Sequence, residues 1–176
     1  MRNIEIEVRS FISRKEYKNL LSRLKKEAEF IDSVEEETLY FEAKNKDLRI
    51  REDKKQAYII LKEGKIHDDS REEIEIGLKK NDFRKIKNLF KKLGYKEEIR
   101  WFRKRKIYKW RGAKVFLDDT KGYGLIIELE KIGTAKNKEK IHKDLENKLK
   151  YLGVKITPKE VFEKKFKYYK KNWRKI

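Results

Sequence analysis

Residues 2–11, RNIEIEVRSF, decide how the rest of the chain is read. Ile4, Ile6 and Val8 fall on one side of a period-two pattern, and Glu5, Glu7 and Arg9 fall on the other. Period two marks a β-strand, whose successive side chains leave opposite faces. An ordinary half-buried strand turns mixed polar residues to water. This one sets two carboxylates and a guanidinium in a row on one face and aliphatic residues on the other.

The pattern recurs along the chain. Strands are predicted at 34–42, 47–53, 56–62, 70–77, 98–110, 113–119 and 124–131, with a hairpin turn at Asp53-Lys54-Lys55-Gln56. Arg49 and Arg51 share a face, as do Arg71, Glu73 and Glu75, then Arg103 and Arg105, then Glu128 and Glu130, with Asp118 one strand earlier. Each charged face, taken alone, reads as solvent exposure. The opposite faces, Ile4/Ile6/Val8, Leu48/Ile50, Ile74/Ile76 and Ile127/Leu129, are core residues that helices could cover from outside.

Four helices are predicted between or after the strands. Ser13-Arg14-Lys15-Glu16 forms a capping box ahead of the stripe Tyr17, Leu20, Leu21 and Leu24. Asn81 caps a helix bearing Phe83, Ile86, Leu89, Phe90 and Leu93, and Gly94 ends it. A helix over 136–152 carries Ile141, Leu145, Leu149 and Leu152. Thr157-Pro158-Lys159-Glu160 is a second capping box, with proline at the first helical position of a C-terminal helix over about 158–171. Eight short strands joined by hairpins imply an α+β fold: an eight-stranded antiparallel β-barrel with helices packed on the outside and the charged faces lining its interior.

Composition narrows the function. The 176 residues carry a net charge of +19, with 46% charged and 38% hydrophobic residues. That is enough apolar material for a core, and the positive balance attracts polyanions. A Lys-rich solvated surface accounts for many of the lysines, so the inward-facing bases matter most. There is no cysteine, which excludes disulfides, thiolate metal sites and cysteine nucleophiles. No apolar run is long enough for a membrane span and MRNIEIEVRSF lacks a signal-peptide core, so a cytoplasmic protein is expected. His67 and His142 stand alone in the sequence and read as loop or surface residues. Trp101, Phe102, Tyr108 and Trp110 interleave with basic residues and read as packing before base stacking.

Carboxylates crowded into a barrel raise one another's pKa unless cations intervene. Glutamate pairs at i,i+2 offer hard oxygens that suit Mg²⁺ or Mn²⁺. Arginine and lysine on facing walls suit phosphate oxygens. Acid, base and metal in one cavity is the chemistry of a phosphorylated substrate.

At this point the motifs resemble those of the CYTH superfamily, the triphosphate tunnel metalloenzymes, which include class IV adenylyl cyclases and thiamine, inorganic and RNA triphosphatases. EIEVR at 5–9 resembles the ExExK signature, and TLYFE at 38–42 its "DTYFD" strand. LRIR at 48–51, ILKEG at 60–64 with Lys62, REEIE at 71–75 and RKRKIY at 103–108 follow in the family's order. LDDTKGYGLIIELE at 117–130 resembles "LDxVxxLGxFxEIE", which is most like the class IV cyclase branch. Arg9 replaces the signature lysine, and Gly124-Leu125-Ile126 replaces "GxF". KFKYYKKN at 165–172 only echoes the C-terminal "SYxELL" segment, so no catalytic lysine is assigned there.

The resemblance implies one CYTH-like domain over 1–176, a triphosphate tunnel, and Mg²⁺ or Mn²⁺ as cofactor. It implies metal ligation by Glu5, Glu7, Glu73, Asp118, Glu128 and Glu130. Arg9, Arg49, Arg51, Lys62, Arg71, Arg103 and Arg105 would bind phosphates. Glu7, Glu75 and Arg103 would act catalytically, a carboxylate orienting water if water attacks. The expected reaction is conversion of ATP to cyclic AMP and pyrophosphate. Hydrolysis of an inorganic, thiamine or nucleoside triphosphate is the alternative, and a non-catalytic polyanion or RNA-binding barrel the third reading. A nucleotide or other triphosphate is the expected partner, with no membrane, nucleic acid not favoured, and a homodimer left open.

Overall fold

The computed structural model describes residues 4–63 and 70–176. The strands are β1 (Ile4–Ile12), β2 (Glu29–Phe41), β3 (Lys46–Glu52), β4 (Gln56–Glu63), β5 (Ser70–Lys79), β6 (Glu97–Trp110), β7 (Ala113–Thr120) and β8 (Gly124–Gly133). The helices are α1 (Arg14–Glu27), α2 (Phe83–Lys92), α3 (Lys138–Tyr151) and α4 (Lys159–Asn172). The strands close into an antiparallel barrel in the order β1-β5-β4-β3-β2-β6-β7-β8. β1 closes it by pairing β5 on one side and β8 on the other, so the two ends of the strand set share one wall.

Local sequence accounts for most turns. Ser13 Oγ accepts from the Glu16 amide at 3.2 Å, and Glu16 Oε2 accepts from the Ser13 amide at 2.6 Å, which completes the expected capping box of α1. Asp53 Oδ1 accepts from the Lys55 and Gln56 amides and fixes the β3–β4 turn. Arg111 and Gly112 both have positive φ, the geometry of a two-residue turn that matches hairpin twist. Gly94, at φ +89°, ends α2 as expected, with the Tyr95 amide reaching back to the Phe90 carbonyl.

Two helix starts differ from expectation. Asn81 caps nothing: the chain enters α2 through a 3-10 turn at Lys80–Asp82, and Asp82 takes the cap position without a side-chain cap bond. Asp82 is instead paired with Lys85. Thr157 does not build a capping box either, and Pro158 occupies the cap position of α4 rather than its first turn. The Thr157 hydroxyl is taken by β1, where it lies 2.7 Å from Ser10 Oγ and accepts from the Phe11 amide at 3.0 Å. A tertiary bond to a buried strand replaces the local one.

The aliphatic faces divide unevenly. Ile6, Val8, Val115, Leu117, Ile127 and Leu129 pack beneath Leu20 and Leu24 of α1 and Ile141, Leu145 and Leu149 of α3. Leu39, Phe41 and Ile50 pack against Phe83 and Ile86 of α2. The expected burial of Ile74 and Ile76 is wrong: they are 60% and 50% exposed. The helices cover the β1/β7/β8 and β2/β3 faces, and the outer face of β5 receives none. A third cluster, Tyr40, Ile99, Tyr123, Ile126, Phe162 and Tyr169, seals one end of the barrel with α4.

Of the interleaved aromatics, Tyr108 and Trp110 are core residues, Trp101 packs against the sealing cluster, and Phe102 is 40% exposed.

Candidate active site

Alternation places the charged faces inside. All seven acids and all seven bases singled out from sequence line one cavity of about 590 Å³. Glu5, Glu7 and Arg9 come from β1, Arg49 and Arg51 from β3, and Lys62 from β4. Arg71, Glu73 and Glu75 come from β5, Arg103 and Arg105 from β6, Asp118 from β7, and Glu128 and Glu130 from β8.

The walls carry different charge. On one side, Arg105 grips Asp118 with two parallel bonds of 2.7 Å, and Arg103 donates to Glu36 at 2.9 and 2.5 Å and to Asp118 at 3.3 Å. Arg105 also reaches Glu128 at 3.4 Å. Burial opposes ionisation of Glu36, but Arg103, Arg105 and Arg51 outweigh it and hold its carboxyl at about 2. Deeper in, Asp47 bridges Arg49 at 2.6 Å and Arg71 at 2.8 Å, and Arg49 donates to the Tyr40 hydroxyl at 2.9 Å. Arg51 pairs with Glu75 at 2.7 Å.

The β1/β8 wall is acid-rich. Glu7 stands directly across from Glu130 in the strand register, and Arg9 from Glu128. Like charges facing each other across strands repel. Burial, then Glu5 and Glu128, push the Glu130 carboxyl up to about 8, against the weaker pull of Lys114 at 4.0 Å. Lys62 lies between Glu5 at 2.5 Å and Glu73 at 2.9 Å. Burial and the nearby Glu73 raise the Glu5 carboxyl. Burial would raise Glu73 too, but its bonds from Glu5 and Lys62 bring it down. One buried oxygen, Glu7 Oε1, has no hydrogen bond among the described residues; Arg9 and Arg71 stand 3.3 and 3.7 Å away.

These donors suit a hard divalent cation. Surplus carboxylates, one lifted to about 8, and an unsatisfied buried oxygen are what a missing positive charge leaves behind. They are not a finished cage: among the described residues no three metal-capable side chains already converge. The reason is that most of the acids lean onto a base. Asp118 has both oxygens committed to Arg105.

Sequence reasoning passed over Glu36, Asp47 and Tyr40. Asp47 was legible, since it sits two residues before Arg49 and shares its face. Glu36 was not, because Glu35, Glu36 and Glu37 hide which one points inward. His142 lies half-buried on α3, away from the cavity lining, and His67 falls outside the described residues.

Comparison with known proteins agrees with the geometry. The CYTH domain family model matches residues 3–160. A Methanocaldococcus jannaschii protein named "Putative adenylate cyclase" is 33% identical over 160 residues, covering 86% of this chain and 90% of that protein. A conserved hypothetical protein from Pyrococcus furiosus superposes with a TM-score of 0.77 at 28% identity, covering 86% of this chain and 91% of the other. The PH1012 protein of Pyrococcus horikoshii gives 0.75 at 28% identity, with the same coverage. None of the described helices is long and apolar enough to cross a membrane.

Proposed function

The chain belongs to the CYTH family, whose members process triphosphates as cyclases or triphosphatases, and on that premise we propose that it is a divalent-metal-dependent enzyme acting on a triphosphate. The whole chain would serve as one catalytic domain. The observation that carries this reading is the juxtaposition of Glu7 with Glu130 inside a barrel whose other walls hold arginines. A pure anion binder gains nothing from paired carboxylates beside its ligand.

In this reading Glu5, Glu7, Glu128 and Glu130 hold Mg²⁺ or Mn²⁺, with Glu73 and Asp118 at the edge of the set. The metal would neutralise phosphate charge and help align the chain. Arg9, Arg49, Arg51, Lys62, Arg71, Arg103 and Arg105 bind phosphate oxygens and stabilise charge that develops on the leaving group. Arg103 is the catalytic base-charged residue best placed for this, because it stands between Glu36 and Asp118 at the middle of its wall.

A class IV adenylyl cyclase-like reaction is the leading form. The ribose 3′-oxygen bonds to the α-phosphorus of ATP as the bond from that phosphorus to the bridging oxygen breaks, and pyrophosphate leaves. The curated relative's name favours it. Hydrolysis is the second form: water attacks the terminal phosphorus with Glu7 or Glu75 orienting it, and inorganic phosphate leaves. Glu75 favours this form, since it is exposed to the cavity and held only by Arg51.

The test is incubation with Mg²⁺ or Mn²⁺ and, in parallel, ATP, thiamine triphosphate and tripolyphosphate. Cyclic AMP with pyrophosphate identifies the cyclase, and phosphate release the triphosphatase. Glu7→Gln and Glu130→Gln should each lose at least ~100-fold in metal-dependent turnover while remaining folded, as removal of a transition-state stabilising group does. Full activity in either variant sinks the metal assignment. Metal-independent RNA binding without turnover would support a binding barrel instead.

A further inference from the structure

The barrel's two ends differ in chemistry. One is sealed by Tyr40, Trp101, Tyr123 and the α4 aromatics Phe162 and Phe166. The other opens through a rim that is apolar: Val34, Tyr58, Ile107 and Ile132 come from β2, β4, β6 and β8, and all line the same cavity. Val34, Ile107 and Ile132 each lie six residues along their strands from Tyr40, Trp101 and Ile126 of the sealed end. At ~3.3 Å per residue this separates the ends by about 20 Å. None of the four is fully buried, and Ile132 is 51% exposed.

Scattered exposed aliphatic residues need no explanation. Four on four different strands around one opening are a different matter, because the strands beneath them carry almost only charge on that face. Phosphate oxygens gain nothing from such a rim. A planar organic group does, since it can bury its faces there while its phosphates run inward to the arginines. Tyr58 offers a ring already used as a platform: the Arg51 guanidinium lies over it at 4.6 Å, and its hydroxyl is met by the Gln56 amide.

We propose that Val34, Tyr58, Ile107 and Ile132 form a subsite for the heteroaromatic group of an organic triphosphate, seated at the open mouth. The inference rests on the triphosphate reading above and extends it: the substrate carries a nucleobase-like ring, and inorganic tripolyphosphate is the poorer ligand. Arg51 couples the two halves of the site, stacking on the ring platform while facing the phosphate path.

The experiment measures kcat/KM for ATP and for tripolyphosphate, with Mg²⁺ or Mn²⁺, in the wild type and in Tyr58→Ala, Tyr58→Phe and Ile132→Ser. Tyr58→Ala should lose about tenfold or more with ATP, the scale of one base–aromatic stack. Ile132→Ser, which touches no arginine, should also lose activity with ATP and keep tripolyphosphate turnover within about twofold. Tyr58→Phe should restore ATP turnover. Equal losses on both substrates in Ile132→Ser, or unchanged ATP kinetics in both Tyr58→Ala and Ile132→Ser, overturn the subsite. A wild type that prefers tripolyphosphate overturns it while leaving the triphosphate reading intact. A wild type that turns over neither substrate with metal overturns that reading and the subsite with it.

Discussion

Glu130 is where burial and charge conflict most sharply, and its behaviour can be read without substrate. Its folded carboxyl titrates at about 8 against an ordinary value of 4.5. A raised carboxyl favours the folded state while protonated. The contribution is complete below 4.5 and is lost as pH climbs through 8. Metal-free protein should therefore lose stability between about pH 5 and pH 8, a melting-temperature drop that Glu130→Gln abolishes and that added Mg²⁺ or Mn²⁺ opposes. A wild type and a Glu130→Gln variant with parallel stability–pH curves over that window would show that the acid cluster is not strained. Glu36 works in the other direction: held at about 2 by its arginines, it stabilises above 4.5 and that contribution is lost only as pH falls through 2. At this scale the inward acids of EIEVR and IIELE were legible because each alternates with aliphatic neighbours. Glu36 was not, because three consecutive glutamates carry no phase.

Elements were legible wherever the signal was periodic. The strands were identified in number and order, although β2 begins at Glu29, five residues before the predicted 34, because its first turn pairs with the far end of β6 instead of following an apolar alternation of its own. Helix starts were legible only where the cap is local. Ser13 and Glu16 satisfy each other within one turn, and Ser13→Ala should cost about 1 kcal/mol in denaturant unfolding with turnover unchanged. Thr157 carries the same motif but is drawn to Ser10, which is fully buried, and to the Phe11 amide. Thr157→Val should cost about 1–3 kcal/mol, because it leaves those buried groups without their partner. A cost near zero would return Thr157 to the role of an ordinary loop residue.

Across the whole molecule the cost of losing an aliphatic residue depends on which outer face it occupies. Leu129 is fully buried beneath α1 and α3, and Leu129→Ala should cost about 2–5 kcal/mol. Ile76, on the uncovered face of β5, should tolerate Ile76→Lys within about 0.5 kcal/mol. Equilibrium unfolding of the two variants distinguishes a covered wall from an open one. Periodicity alone determined that the chain alternates charge with aliphatic residues over eight strands, since side-chain direction in a strand is set by covalent geometry. It could not say which face is inside. Only the closure of β1 onto both β5 and β8 decided that, by bringing Glu5 and Glu7 beside Glu128 and Glu130 from the other end of the strand set. The same closure decided which bases meet which acids and left an aromatic seal at one end and an apolar rim at the other. Those are properties of strands distant in sequence, and no local pattern carries the register between them.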